Sequence, residues 1–397
     1  MNILFTGIIN EPSWPGGEPR VAKLLASILS QRGHSVSIAF LPRDRPFWKI
    51  YPWSPPHVIV DSVAVKIYRH YIEKISPDVV MSWYDYDISA FWGSILSKTP
   101  TIAQAQTLWP VCPKADLFNM ILESPCEGPN WICGPCVVKQ GRSTGEFTAT
   151  SPSALMPSKL FSAMQINKIN NLKSKLNHAI AIVSDSLLLK NVMGTLNYDL
   201  GKVHVIYNGV DLKTVKPLPA KSEKKTVLFL SNNISKQKGF HHFVQLSKNL
   251  TPDFPNVRFL WVGQQTFHGD TFETMDYIWD AQELQGIFQS SYLLLLPSLW
   301  PEPMSYSVLQ AMALEKPVVA YDVGANKEAI VHNKTGLLAE WGNVDQLTSH
   351  VRSLLLDEKL VKQMGRNAKK RVEENFNLKQ MSNNYIGLLD EIGSIKN

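Results

Sequence analysis

Cysteine is scarce in this chain, with four in 397 residues, and that excludes a small secreted fold held together by disulfides. Long apolar runs are absent as well. No segment approaches the roughly 18 residues that span a bilayer, and the first apolar run, Ile3 to Thr6, is far too short for the apolar core of a secretory signal. A cytoplasmic location is therefore expected. Charge of one sign is weak: the net value is +6, and basic residues are dispersed apart from short concentrations such as Lys221 to Lys225. That leaves no footprint for nucleic acid, so no nucleic-acid partner is expected. Internal repeats and low-complexity tracts are missing too. What remains is 44% hydrophobic and 19% charged, a globular composition able to bury a sizeable core. At about 150 residues per domain the length predicts two or three domains, and two large ones are the economical solution.

Short apolar runs alternate with amphipathic helical stretches through both halves, the pattern of βαβ units and parallel sheets. In the first half the expected strands are Asn2 to Gly7, Ser35 to Phe40, Asp78 to Trp83, Thr99 to Ala103 and Ala179 to Ser184. Between the first two, Val21, Leu24, Leu25, Ile28 and Leu29 form one apolar helical stripe that Gly33 ends. From Tyr207 to Lys225 the chain turns to prolines, lysines and turn formers, as a linker does. A second α/β unit opens at Thr226, with later strands at Val257 to Val262, Tyr292 to Pro297 and Pro317 to Tyr321, and the chain is helical from Val344 onward. The expected class is α/β, two Rossmann-like doubly wound domains facing a cleft. Residues 1–208 would form the first, with a cysteine-rich insertion at 107–140, residues 209–377 the second, and 378–397 a helix packing back on the first. Ligands in such sheets bind beyond the carboxyl ends of the strands.

Three stretches carry chemistry. Gly16 and Gly17 precede the first helix, where paired glycines let backbone amides approach a phosphate or sugar. After the Thr226 strand comes a polar turn with Lys236, Lys238 and Gly239, from which a lysine can reach an anion lying over the strand ends. The third is LLLLPSLWPEPMSYSVLQAM. An apolar strand runs into Pro297 and Ser298, Glu302 follows in the loop, and a helix is expected to begin near Met304, presenting the amides of residues 304–307. A carboxylate there can accept sugar hydroxyls while the helix terminus takes a phosphate.

These features resemble the GT-B glycosyltransferases, in particular family 4 of retaining, nucleotide-sugar-dependent enzymes (glycosyl transferases group 1). The likeness covers nearly the whole chain. It rests on the early glycine pair, RGHSVSIAF, VIYNGVDL, the turn at Lys238 and Gly239, and the block from Pro297 through PEPMSYSVLQAMALEKPVVAYDVGANKEAI to NKTGLLA. The resemblance implies that Glu302 binds donor-sugar hydroxyls, that Lys238 neutralises the diphosphate, and that amides of Tyr306 and Ser307, with Met304 and Ser305 beside them, hold phosphate oxygens. Gly16 and Gly17 would close over the donor from the other domain.

Four positions depart from the family pattern: Gln310 stands where a glutamate usually grips the ribose, Asn233 where an arginine is usual, Ser305 where a glycine is usual, and Gln106 where many members place a histidine. The stretch from Gly263 to Leu294 is also short, and a strand that normally approaches the nucleobase is expected to be missing. The implied activity is transfer of a glycosyl group with retention from a UDP- or GDP-linked sugar, without a catalytic divalent metal. The acceptor would be a glycan, a lipid-linked molecule or a small molecule, with Gln106 and Trp109 on the acceptor side. The competing reading is an inactive relative that binds nucleotide or sugar.

Two further features stand apart. In PRDRPFWKIYPWSPP, Arg43, Arg45 and Lys49 lie among Phe47, Trp48, Tyr51 and Trp53, a mixture suited to peripheral contact with the inner face of a membrane. The four cysteines, Cys112, Cys126, Cys133 and Cys136, are separated by thirteen, six and two residues. Cys133-Gly134-Pro135-Cys136 reads superficially as a thioredoxin site, but the residues before it are turn-like and two cysteines would go unexplained. Four thiolates suit a closed tetrahedral zinc site or an iron–sulfur cluster, with disulfides or free thiols as the remaining option.

Overall fold

The computed structural model describes residues 1–8, 17–40, 62–83, 88–143, 155–212, 224–231, 234–264, 269–278 and 280–395. The chain divides into two compact units, one of Met1–Ile206 with Asn384–Asn397 and one of Tyr207–Asn383. Among the described residues no helix is long and apolar enough to cross a membrane.

In the first unit the strands are β1 (Asn2–Ile8), β2 (Ser35–Phe40), β3 (Val79–Ser82), β4 (Thr101–Ala105), the short β5 (Phe118–Asn119) and β6 (Ser124–Pro125), then β7 (Ala181–Ser184) and β8 (Val203–Val205). Six of them form one parallel sheet in the order β2-β1-β3-β4-β7-β8, and β5 and β6 make a separate antiparallel pair. Every residue of β3, β4 and β7 is buried, as parallel strands covered on both faces must be. On one face Leu4 and Val80 pack against Tyr68, Ile72 and Ala90 of the helices Ser62–Ile75 and Ile88–Leu96. The β4 ladder starts two residues later than its apolar run suggests, because Pro100 has no amide to contribute. On the last helix, Leu378–Ile395, Tyr385 donates to Gln104 Oε1 at 2.8 Å, so that end of the chain is tied to β4.

In the second unit the strands are β9 (Thr226–Leu230), β10 (Arg258–Gly263), β11 (Glu273–Asp276), β12 (Leu293–Leu296), β13 (Val318–Tyr321) and β14 (Gly336–Ala339). They form a parallel sheet in the order β11-β10-β9-β12-β13-β14. The strand expected to be missing between Gly263 and Leu294 is therefore present: β11 pairs with β10 from Leu260–Glu273 to Gly263–Asp276. Its sequence, ETMD, has no apolar run to betray it, because it is an edge strand with charged, exposed ends. Strand order reverses between β9 and β12, which marks the topological switch point where doubly wound sheets hold their ligands.

Candidate functional site

The turns leaving β9 and β12 lie side by side at this switch point. Gln237, in the turn after β9, accepts through its carbonyl from the amides of Leu299 at 2.7 Å and Trp300 at 3.3 Å. Gly239 follows with φ +73°, and a Cβ there would overlap the Pro297 carbonyl oxygen, so the glycine permits both the left-handed turn and the close approach. From the far side Gly324, at φ +65°, lies against Glu302, where a Cβ would stand 2.6 Å from its nitrogen. The Ala325 amide donates to the Glu302 carbonyl at 2.9 Å. Three turns thus fix the backbone of one glutamate.

The Glu302 side chain is buried. Its Oε1 accepts from Ser298 Oγ at 2.6 Å, Lys238 Nζ at 2.9 Å and Trp300 Nε1 at 3.0 Å. Lys238 also lies 4.6 Å from the centre of the Trp300 ring, so the indole supports the ammonium with its face as well as the carboxylate with its N–H. Burial pushes the Glu302 carboxyl upward, but the Lys238 charge and the three donors outweigh it and hold the group below the usual carboxylate range. Glu302 is accordingly ionised at neutral pH. No donor among the described residues reaches Oε2, which leaves that oxygen to accept from a ligand.

The helix expected near Met304 begins at Tyr306 and runs to Ala313. Ser305 is its N-cap but makes no side-chain cap hydrogen bond; its hydroxyl lies 3.0 Å from that of Ser307 instead. Met304 is buried beneath the turn. Gln310, half-buried, stands one helical turn beyond Tyr306 on the same face. Lys238, Glu302, Ser305, Tyr306, Ser307 and Gln310 therefore all belong to two turns and one helix of a single unit. Gly17 opens the helix Gly17–Gln31 of the first unit, Gln106 is buried at the end of β4, and Trp109 lies half-buried just after it. Gly16, Asn233 and the aromatic and basic segment 42–56 lie outside the described residues.

Sequence reasoning passed over Ser298 and Trp300, which supply two of the three donors to Glu302. Their positions four and two residues before the glutamate hold the only available signal, a hydroxyl and a donor-only indole close to a carboxylate. It also passed over His242, whose Nδ1 lies 2.8 Å from the Tyr321 hydroxyl at the end of β13. Burial, with His241 and Lys236 nearby, pushes His242 down to about 4 from its ordinary 6.5. Between these two values the unfolded chain binds a proton that the folded chain does not, so His242 must lower stability as pH falls through that window. Urea unfolding of the parent and of His242→Gln at a series of pH values is expected to show a shallower decline for the variant between pH 6.5 and about 4. Equal slopes would refute a buried neutral imidazole.

The four cysteines are free thiols that line one cavity of ≈ 20 Å³ together with Lys114, Asn119 and Asn130. Among the described residues no three His, Cys, Asp or Glu side chains are grouped so as to hold a metal ion, which corrects the expectation that the four cysteines hold a zinc ion or an iron–sulfur cluster. Nor is Cys133 placed as a redox nucleophile. The helix Cys133–Ser143 does start at it, but burial pushes its thiol up to about 11, the opposite of an activated thiolate.

Residues 213–371, which contain the whole switch-point constellation, match the family described as Glycosyl transferases group 1. They belong to that family. Across the chain's full length the group 1 domain and the unit before it are similar to N-acetyl-alpha-D-glucosaminyl L-malate synthase of Bacillus anthracis, 24% identical over 400 residues, covering 96% of this chain and 94% of that protein. Over 255 residues the chain is 28% identical to the N,N'-diacetylbacillosaminyl-diphospho-undecaprenol alpha-1,3-N-acetylgalactosaminyltransferase of Campylobacter jejuni, covering 58% of this chain and 65% of the relative. The chain matches only 50% to 65% of the length of several curated relatives. Among solved structures, HepE of Anabaena in complex with UDP and glucose superposes with a TM-score of 0.67 at 16% identity, over 98% of this chain and 99% of that one. The fold is GT-B.

Proposed function

We propose that this protein is a retaining glycosyltransferase that takes a sugar from a nucleotide-sugar donor held at the β9/β12 switch point of its group 1 domain. The observation that carries the reading is the pair of the half-buried Lys238 and the buried Glu302, in which every donor falls on Oε1 and Oε2 is left to accept from sugar hydroxyls. Lys238 and the amides at the Tyr306 helix start stabilise charge that develops on the leaving diphosphate. With that charge supplied by the protein, the transfer needs no divalent ion, and a phosphate oxygen takes the acceptor proton on the same face. Gln310 is neutral, so it grips a ribose diol without charge assistance. That UDP is bound by HepE supports a nucleotide-sugar donor.

The Campylobacter relative's name contains a diphospho-undecaprenol acceptor, which favours a lipid-linked acceptor and contact with the inner face of a membrane. The exposed Leu155, Leu160 and Met164, with Lys159 among them, suit such a surface.

Thermal shift with UDP- and GDP-sugars, followed by product analysis, tests the reading. A ligand that binds only the folded chain raises its midpoint with concentration, so one donor series is expected to raise Tm and to be turned over with retained anomeric configuration. A shift without turnover would favour a binding relative, and no shift with any donor would remove the donor site altogether.

A further inference from the structure

We propose that the helices Cys133–Ser143 and Ser158–Leu176 of the first unit dock on an anionic phospholipid surface, with a headgroup phosphate seated between Lys139 and Arg142. Beside the first helix lies an open cavity of ≈ 410 Å³, walled by the apolar Ile121, Val138, Met156 and Phe161 and by those two cations. Its size is that of a ligand site. Lys139 and Arg142 are three residues apart and so stand on one face of the helix, where a guanidinium beside an ammonium suits a phosphate. Lys139 meets Glu123 at 3.5 Å, but both side chains are nearly half exposed, and such a pair is weak enough for a phosphate to displace.

The rim of the cavity is apolar and faces solvent. Ile121, Leu122, Trp131, Leu155, Leu160 and Met164 are 42% to 70% exposed. Leu122 follows the wall residue Ile121, Leu155 precedes Met156, Leu160 precedes Phe161, and Met164 stands one turn beyond Leu160 on the same face. Trp131 is held beside them, because Ser162 Oγ donates to its carbonyl at 2.6 Å and accepts from the Gly134 amide at 2.9 Å. A Cβ at Gly134 would stand 2.7 Å from the Ser162 nitrogen. Cys133-Gly134-Pro135-Cys136 is therefore a helix start that packs closely on its neighbour and fixes an exposed tryptophan.

Charge and polarity together select the occupant. At a bilayer interface apolar side chains enter the acyl boundary while basic ones meet phosphates, which is the order of rim and wall here. The second helix extends it: Lys159 is exposed beside Leu160, and Lys168, one turn beyond Met164, is half-buried with no hydrogen-bond or ion-pair partner among the described residues. Burial pulls the Lys168 ammonium below the usual lysine range, and an anionic surface supplies the missing counter-charge. The lysines further along are engaged elsewhere, Lys173 with the Leu196 carbonyl and Lys175 over the Trp92 ring.

This names the element and the lipid charge behind the membrane contact proposed above, and it is read without donor, so its failure leaves the donor site standing. The test is flotation of the full chain with phosphatidylcholine vesicles and with an equal mixture of phosphatidylcholine and phosphatidylglycerol. Binding is expected with the mixture only, and should fall as salt rises. Lys139→Gln combined with Arg142→Gln should weaken it roughly 25-fold, at about five-fold for each cation lost near an anionic surface, and Trp131→Ala should weaken it separately. No binding to the mixture, equal binding to neutral vesicles, or undiminished binding by the double variant would each overturn the proposal. A parent chain that sediments as a dimer, dispersed by Trp131→Ala, would show a second copy seated on this face and overturn it as well. The parent's choice between the two vesicles is readable whatever the variants do.

Discussion

Lys238→Ala is expected to lower kcat by on the order of 10²–10³-fold, the range seen when one preorganised donor to a developing oxyanion is removed. The side chain is an effective donor because it is fixed: its ammonium is held by Glu302 at 2.9 Å and by the Trp300 ring, so little reorganisation is needed when charge appears on the leaving group. Glu302→Gln should act differently. It keeps the shape and an acceptor for Ser298 and Trp300, but it removes the charge that pairs with Lys238 and weakens acceptance at Oε2. The expected result is a raised KM for the donor sugar together with a lower kcat, and a loss of stability, because the ammonium loses its counter-ion in a site where its side chain is 26% exposed. Steady-state kinetics of the two variants, with urea unfolding, decide the matter. Equal wild-type kcat in Lys238→Ala would remove the proposed role of the switch-point pair.

Gly239→Ala should be the most destabilising single-methyl change in the second unit. The residue combines two costs: a left-handed backbone, worth about 1–2 kcal/mol for an alanine, and a Cβ that would overlap the Pro297 carbonyl oxygen. Gly342 separates them. It has nearly the same φ, +74° against +73°, but nothing within 4 Å of its would-be Cβ. Gly342→Ala therefore measures strain alone, about 1–2 kcal/mol or roughly 2–8 °C in Tm for a unit of this size. Gly239→Ala adds forced separation of the β9 and β12 turns, and its Tm should fall by at least twice as much. It should also weaken donor binding, since the same shift moves Lys238 away from Glu302. Calorimetry of both variants tests the comparison, and equal Tm losses would show that Pro297 yields freely.

The parts of the fold that were legible in the sequence are those whose signal is local. Strands β3, β9, β12 and β13 are buried apolar runs bounded by turn residues, and burial on both faces forces such runs whatever the topology. β11 escaped because an edge strand needs backbone pairing on one side only and tolerates Glu273 and Asp276 at its ends. The pair β5 and β6 escaped because two-residue strands have no period to detect. The helix start shifted from Met304 to Tyr306 because Ser305 takes up the extended cap conformation.

At the candidate site, the sequence singled out Lys238 and Glu302 through the family resemblance of the block from Pro297 onward, because the order of apolar strand, loop carboxylate and helix is a local pattern, whereas the lysines of the Gly239 turn taken alone read as solvated. It also brought the four cysteines into view as one group within a short span. Which oxygen of Glu302 is taken, that Ser298 and Trp300 share the taking with Lys238, and that the four thiols line one small cavity were decided only in three dimensions. Strands β9 and β12, more than 60 residues apart in the chain, become neighbours through sheet order. Hydrogen-bond partners and the shared cavity of the thiols then follow from packing between segments that no sequence period relates.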